Sequence, residues 1–511
     1  MTMLQQPVLK NGEALSLAMV PTLPFAEFRD GLLAEVRRQG RVAAFFAAPL
    51  VAEQGRELEL FALLARDRNA TVAVYRTRVA GSFPSLTPSC PQMHLFEREI
   101  AEQYGVVPED HPWFKPLRFH GVWQPGAADA WQRPGDRHPR IGEMEFYRVE
   151  GEGVHEVAVG PVHAGVIEPG HFRFQCHGEK VMHLEISLGY QHRGIEAMLA
   201  GGPHPATMAQ METAAGDTSI GHGLAHCQVL EALAGCRAPE RAQAIRAIGL
   251  ELERLANHVG DIGALAGDVG FLPTAAYCGR LRGDYLNLSA ALCGSRFGRG
   301  LVRPGGVLFD LDQGLDKELL TRLAAIEGDT LGAFALFFNT PSVLARLEGI
   351  GRVSRSVAED LGLVGVAAKA CGVPRDSRFF HPTGVYREFF DDMITEESGD
   401  VMARARMRSR ESEVAMDLVR RIALSLPDGP LRVPLGPLAP DSLAVALVEG
   451  WRGEVLHAGL TDSQGRFRRY KIVDPSFHNW PGLTMALRDE QISDFPLCNK
   501  SFNLSYCGFD L

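Results

Sequence analysis

The residues best suited to chemistry lie between Gly189 and Cys227. His192, Arg193 and Glu196 place a ring, a guanidinium and a carboxylate within five residues, and buried charges of this kind are costly unless they are partnered. Arg193 and Glu196 are three apart, the spacing at which a helix would pair them. Asp217 adds a second carboxylate, and His222 and His226 stand four apart, on one face of a helix. Two imidazoles beside the thiol of Cys227 raise the question of a metal. The run lacks the glutamate that follows the first histidine of a zinc peptidase helix, and Cys227 diverges from His226 by about 100°. A catalytic zinc normally has three converging protein ligands, so packing or hydrogen bonding is the expected role of this pair.

Several kinds of element must position these groups. From Pro239 onward, Ala242, Ile245, Ile248, Leu252, Leu255, Val259 and Ile262 recur at helical spacing, with the proline as a start signal. Further helices fit Tyr285–Phe297, Asp316–Phe338, Val357–Ala370 and Val401–Leu426, which together predict a bundle. Earlier in the chain, a helical stretch at 24–40 and short β-branched runs at 42–50 and 71–79 predict a small α+β domain over 20–120. The proline- and glycine-rich stretch 121–145, with Gln124-Pro125-Gly126 and Arg133-Pro134-Gly135-Asp136, has linker composition. A second domain over 146–511 opens with alternating segments at 154–159 and 171–177, joined by the loop Gly160-Pro161-Val162-His163-Ala164-Gly165. Short strands return at 454–458 and 469–472.

Composition narrows the function classes. A net charge of −10 over 511 residues argues against a general nucleic-acid binder. Nine cysteines without a Cys-x-x-Cys pair support neither a disulfide framework nor a zinc ribbon, and a reducing compartment is the simpler inference. The first ten residues do not read as a secretory signal. No uncharged apolar run approaches the ~18 residues of a membrane span, since the stretch near 330–345 is broken by Asn339, Thr340 and Pro341. Any membrane link is expected to run through partners.

The His192-Arg193-Gly194-Ile195-Glu196 run resembles one shared by large subunits of membrane-bound nickel-iron hydrogenases and the 49-kDa quinone-site subunit of respiratory complex I. The loops Gly160-Pro161-Val162-His163, Arg303-Pro304-Gly305-Gly306-Val307 and Gly399-Asp400-Val401-Met402-Ala403-Arg404 resemble the same superfamily. Glu97-Arg98-Glu99-Ile100-Ala101-Glu102-Gln103-Tyr104-Gly105, with His111-Pro112 after it, resembles the complex I 30-kDa subunit; otherwise it would be a solvated acidic helix. The fused order is similar to the large subunit of formate hydrogenlyase. This resemblance implies an α+β chain in which a small N-terminal α+β domain precedes a large, mostly helical hydrogenase-large-subunit-like domain with peripheral β hairpins or sheet.

In the hydrogenases two Cys-x-x-Cys pairs ligate the metal. Here those positions read Ala215, Thr218, Ser505 and Gly508, and neither hydroxyls nor missing side chains replace thiolates. The sequence thus resembles a hydrogenase-related energy-converting complex that keeps the scaffold without the nickel-iron centre. It implies an oxidoreductase subunit, not active alone, on the cytoplasmic side of the inner membrane. Its partners would be a small iron-sulfur subunit holding the cluster, and integral membrane antiporter-like and anchor subunits, with no nucleic acid. The implied cofactor is a quinone. His163 would line its pocket, His192 and Arg193 would sit near the cluster, Glu196 and Asp217 would handle protons, and His222 would complete the site. Two other readings stay open: a non-catalytic coupling scaffold, in which these charges are structural ion pairs, and an active membrane-bound hydrogenase large subunit.

Overall fold

The computed structural model describes residues 6–50, 57–124, 127–132, 140–312 and 314–511. The linker motifs Pro125-Gly126 and Arg133-Pro134-Gly135-Asp136 lie outside the described residues. The fold is α+β, as the alternation of periodicities implies.

Three long antiparallel strands, Arg41–Pro49, Glu57–Arg66 and Thr71–Ala80, form the heart of the N-terminal sheet. The Phe25–Arg37 helix packs Phe28 and Leu32 onto it. The His94–Tyr104 helix, which would otherwise read as a solvated acidic face, is instead sunk in the protein: Glu97, Glu99 and Glu102 are all fully buried. Glu97 accepts from Ser85 Oγ, Thr87 Oγ1 and Leu86 N, each at 2.6 Å. Glu102 accepts from the backbone of Leu117, Arg118 and Phe119. These partners offset the desolvation that makes a buried carboxylate expensive.

Val154–Val159 and His171–His177 pair as the expected antiparallel hairpin, and Lys180–Ser187 adds a third strand beyond them. The helical core is built from Glu240–Asp268, Leu272–Cys293, Leu315–Phe338 and Val401–Leu424. The Leu272–Cys293 helix starts thirteen residues before Tyr285 because Pro273 sits in its first turn, where a missing N–H costs nothing. The expected helix over 357–370 is instead two: Arg355–Leu361 stops at Gly362, whose φ of +71° breaks the ladder, and Gly365–Lys369 follows.

The C-terminal sheet corrects the expectation of peripheral β structure. Ser442–Gly450 and Gly453–Thr461 are buried at every residue, and Phe467–Val473 at every residue but one. The run Leu443 to Val448 is apolar throughout, as a strand covered on both faces must be. The Ser219–Leu233 helix packs against this sheet, and so do the N-terminal strands through Arg41–Pro49. The sheet's fourth strand, Glu13–Ser16, comes from the start of the chain and pairs with Ser442–Val445.

Candidate functional site

Two arginines fasten the segment 213–218 to the C-terminal segment 503–508. Arg193 donates to Thr213 O at 2.6 Å, Ala214 O at 2.8 Å and Cys507 O at 3.5 Å. Arg452 forks onto Asp217 with two bonds of 2.7 Å and donates through Nε to Asn503 O at 2.5 Å. A planar guanidinium suits both tasks, since its fixed donors bridge acceptors on separate strands of chain. The same geometry revises one expectation: Arg193 and Glu196 do not pair, because Arg193 turns to backbone carbonyls while Glu196 turns inward. Glu196 accepts from Arg469 Nη2 at 2.8 Å, Lys471 Nζ at 2.9 Å and Ile472 N at 2.9 Å. Burial alone would raise its carboxyl, but Lys471, Arg469 and Arg118 hold it well below the usual carboxylate range. Glu196 is therefore a fixed charge.

Ala215, Thr218, Ser505 and Gly508 fall within this fastened region, and the structure tests whether they suit a nickel-iron centre. They do not. A Cβ at Gly508 would lie 2.6 Å from the Asp474 carboxylate and 2.8 Å from Ser505 Oγ, so the space of a fourth thiolate is filled. Ser505 Oγ already accepts from Gly508 N at 2.9 Å, as the cap of the last helix, and Thr218 Oγ1 lies 3.1 Å from Asp217. Cys507 remains nearby, but burial raises its thiol, the opposite of what a metal ligand needs. Among the described residues no group of three or more His, Cys, Asp and Glu is placed to hold a metal ion.

From Asp474 a single file of hydrogen bonds runs into the core. His222 Nε2 meets Asp474 Oδ2 at 3.1 Å, His222 Nδ1 meets His457 Nε2 at 3.0 Å, His457 Nδ1 meets Tyr470 OH at 3.0 Å, and Tyr470 OH meets His226 Nδ1 at 2.7 Å. With one proton on each imidazole, the direction of every bond in the file follows from Asp474. Asp474 is held below the usual carboxylate range chiefly by His222, against the opposing effect of burial, so it accepts from His222 Nε2–H. Burial keeps His457 and His226 neutral, and each then has one donor and one acceptor. His222 Nδ1 accepts from His457 Nε2–H, His457 Nδ1 from Tyr470 O–H, and Tyr470 from His226 Nδ1–H. The last atom, His226 Nε2, is left as a bare acceptor, and it is buried without a partner. The pairing of His222 and His226 on one helical face thus serves hydrogen bonding, as the missing zinc-peptidase glutamate suggests.

The remaining expected residues are dispersed around this centre. His163 is exposed, and its Nδ1 accepts from Gly165 N at 2.9 Å. His192 Nδ1 meets Asp510 O at 3.0 Å, and its ring stacks on His120 at 4.6 Å. Burial pushes its imidazole down to about 4. Sequence reasoning missed Arg452, Asp474, His457, Tyr470 and Glu168. Glu168 faces Arg452, Asp217, Cys507 and Arg193; burial raises its carboxyl, and its Oε2 is buried without a partner. The Asp474-Pro475 pair is a helix-cap signature that could have drawn attention to Asp474, whose side chain accepts from Ser476 N.

Comparison with known proteins gives the chain's family. The family model described as "Respiratory-chain NADH dehydrogenase, 49 Kd subunit" matches residues 268–437, and the one for the 30 Kd subunit matches residues 35–130. Formate hydrogenlyase subunit 5 of Escherichia coli (strain K12) is 30% identical over 440 residues, covering 84% of this chain and 77% of that protein. Carbon monoxide-induced hydrogenase of Rhodospirillum rubrum is 32% identical over 348 residues, covering 68% of this chain and 96% of that protein. NADH-quinone oxidoreductase subunit 4 of Thermus thermophilus is 29% identical over 363 residues, covering 66% of this chain and 89% of that protein.

Proposed function

Because the chain belongs to the family that unites hydrogenase large subunits such as formate hydrogenlyase subunit 5 with the respiratory-chain NADH dehydrogenase subunits, we propose that it is the peripheral large subunit of a membrane-associated oxidoreductase complex that works without nickel and iron at this site. The observation that carries the reading is the replacement of the metal space by the Asp474 carboxylate and the hydrogen-bonded file behind it. The file joins the Asp474 carboxylate to three imidazoles and a phenol, groups that hold and pass protons along hydrogen bonds.

The chain's residues then have distinct tasks. Arg193 and Arg452 hold the two segments of the site together, and His192 lies beside the face where an iron-sulfur partner would deliver electrons. Asp217 anchors Arg452, whereas Glu168, at the rim, exchanges protons. His163, in its exposed loop, would meet a quinone-like acceptor. Such an acceptor takes up electrons and protons together, which gives a proton-holding file its use. The complex would reside on the cytoplasmic face of the membrane, and this chain would be held there by partners; no helix among its described residues is long and apolar enough to cross a membrane.

Purification of the intact complex from native membranes of nickel-supplied cells tests this. The chain should copurify with a small iron-sulfur subunit and integral membrane subunits, with iron but no stoichiometric nickel and no hydrogen-dependent dye reduction. Stoichiometric nickel with hydrogen oxidation would make it an active hydrogenase. Asp474→Asn, which preserves shape, should slow electron transfer; an unchanged rate would favour the coupling scaffold.

A further inference from the structure

A cavity of about 280 Å³ opens where remote stretches of chain meet: residues 11–13, the Ser219–Leu233 helix, the start of the Glu240–Asp268 helix with the loop before it, and residues 383–387. Its walls carry five charged side chains, and their commitments differ. Glu231 is satisfied within the wall, where it accepts from Arg246 Nη2 at 2.5 Å, Arg246 Nη1 at 3.1 Å and Gly305 N at 2.8 Å. Arg246 also gives Nε to Gly306 O at 3.1 Å. Arg237 and Arg387 are exposed. Among the described residues Arg237 makes no hydrogen bond or ion pair, and Arg387 uses only Nε, toward Pro382 O at 3.1 Å. The fifth, Glu13, is exposed and accepts from Lys10 N at 3.0 Å.

With Glu231 and Arg246 cancelling, two free guanidiniums face one carboxylate, so the cavity is positive in a chain of net charge −10. Thr383 adds a neutral donor. Its Oγ1 accepts from Gln228 Nε2 at 3.1 Å, which leaves the hydroxyl proton free to be given. A guanidinium offers parallel N–H donors that match two oxygens of one oxyanion. Arg237 and Arg387 come from separate stretches of chain, so both are served at once only by an anion with more than one pair of oxygens. A planar carboxylate has one such edge, whereas a phosphate has several. We propose that this cavity binds a phosphate group, free or as a small phosphate monoester, gripped by Arg237 and Arg387 and hydrogen-bonded by Thr383. Bound there, it ties the opening residues of the chain to the Ser219–Leu233 helix and to residues 383–387. The site rests on neither the Asp474 file nor the oxidoreductase reading.

Calorimetric titration of the full chain with inorganic phosphate, at an ionic strength held constant with chloride, tests the proposal. Saturable binding of one phosphate per chain is expected. Arg237→Gln and Arg387→Gln should each weaken it about tenfold, the worth of a charge-assisted hydrogen bond, and the double variant should abolish it. Glu13→Gln, which removes the one carboxylate without a cation, should tighten it. All three side chains are exposed, so the thermal midpoints without phosphate should match the parent. Should an arginine variant fail to fold, Thr383→Val removes the neutral donor alone and should weaken binding about fivefold. Glycerol 3-phosphate separates the two sources: tighter binding than phosphate identifies a monoester, weaker binding the free ion, and either keeps the phosphate group as the ligand. Absence of saturable binding, binding that these variants leave unchanged, or malonate bound as tightly as phosphate would overturn the assignment.

Discussion

Glu168 and Glu196 carry the same side chain in opposite surroundings. Glu196 is neutralised by two cations and a backbone N–H, whereas Glu168 keeps a buried oxygen without a partner and a carboxyl raised by burial. Glu168→Gln should leave folding intact while flattening the acidic limb of the pH profile of electron transfer in the complex; an unshifted profile would remove Glu168 from proton exchange. Lys471→Met is expected to act on stability instead. It would strip the Nζ shared by Glu99 and Glu196, and breaking a buried pair from one side costs about 3–5 kcal/mol. Urea unfolding of the single variant and of Lys471→Met with Glu196→Gln measures this, with partial recovery expected in the double. At this scale the sequence announced that 189–227 mattered, because charges and rings crowd there. It could not announce Lys471 or His457, which sit in ordinary-looking strands and gain partners only when helices far off in the chain pack against them.

The Val401–Leu424 helix shows what an element adds to its residues. Arg404 and Arg408, one turn apart, are buried, while Arg406 and Arg410 on the other side are exposed, so a run that resembles a solvated face is half interior. Arg404 donates to Gly351 O, Gly399 O and Ser501 Oγ, and Arg408 to Asp261 Oδ2. The first turn is fixed by Asp400, which accepts from Ala403 N at 2.8 Å, from Ser398 Oγ at 2.8 Å and from Gly349 N at 2.8 Å. Asp400→Ala should cost about 1–2 kcal/mol for the cap alone, read as a lowered thermal midpoint, with Asp400→Asn retaining most of it. Helices with long apolar stripes, such as Glu240–Asp268, were legible from spacing. The Glu57–Arg66 strand was not, because its continuous Leu-Phe-Ala-Leu-Leu-Ala run has no alternation to read.

For the whole molecule, acidity is the most direct probe. Burial holds His94, His111, His192, His226, His457 and His478 below their ordinary value, so each is neutral when folded and binds a proton on unfolding once the pH is below about 6.5. Glu253, Glu449 and Asp510 act oppositely, since their raised values keep them protonated in the folded state and they release protons on unfolding. The uptakes outnumber the releases, so unfolding takes up protons near pH 5.5 and stability should fall from pH 6.5 to 5. A thermal midpoint that rises over that interval would contradict the assignment. The α+β class and the two resembling segments could be read from the chain before any coordinates, whereas the interlocking of its two ends could not, because pairing partners so remote leave no local pattern. That interlock bears on biosynthesis. Asn11 donates to Leu447 O and accepts from Leu447 N, 436 residues later. At roughly 5–20 residues per second on the ribosome, the Glu13–Ser16 strand waits about 20–90 s for the sheet it will join. Its edge must be kept from other strands meanwhile, although its neighbours Val8–Leu9 and Thr22–Leu23 can pair with Thr71–Ala80 as soon as that strand is made.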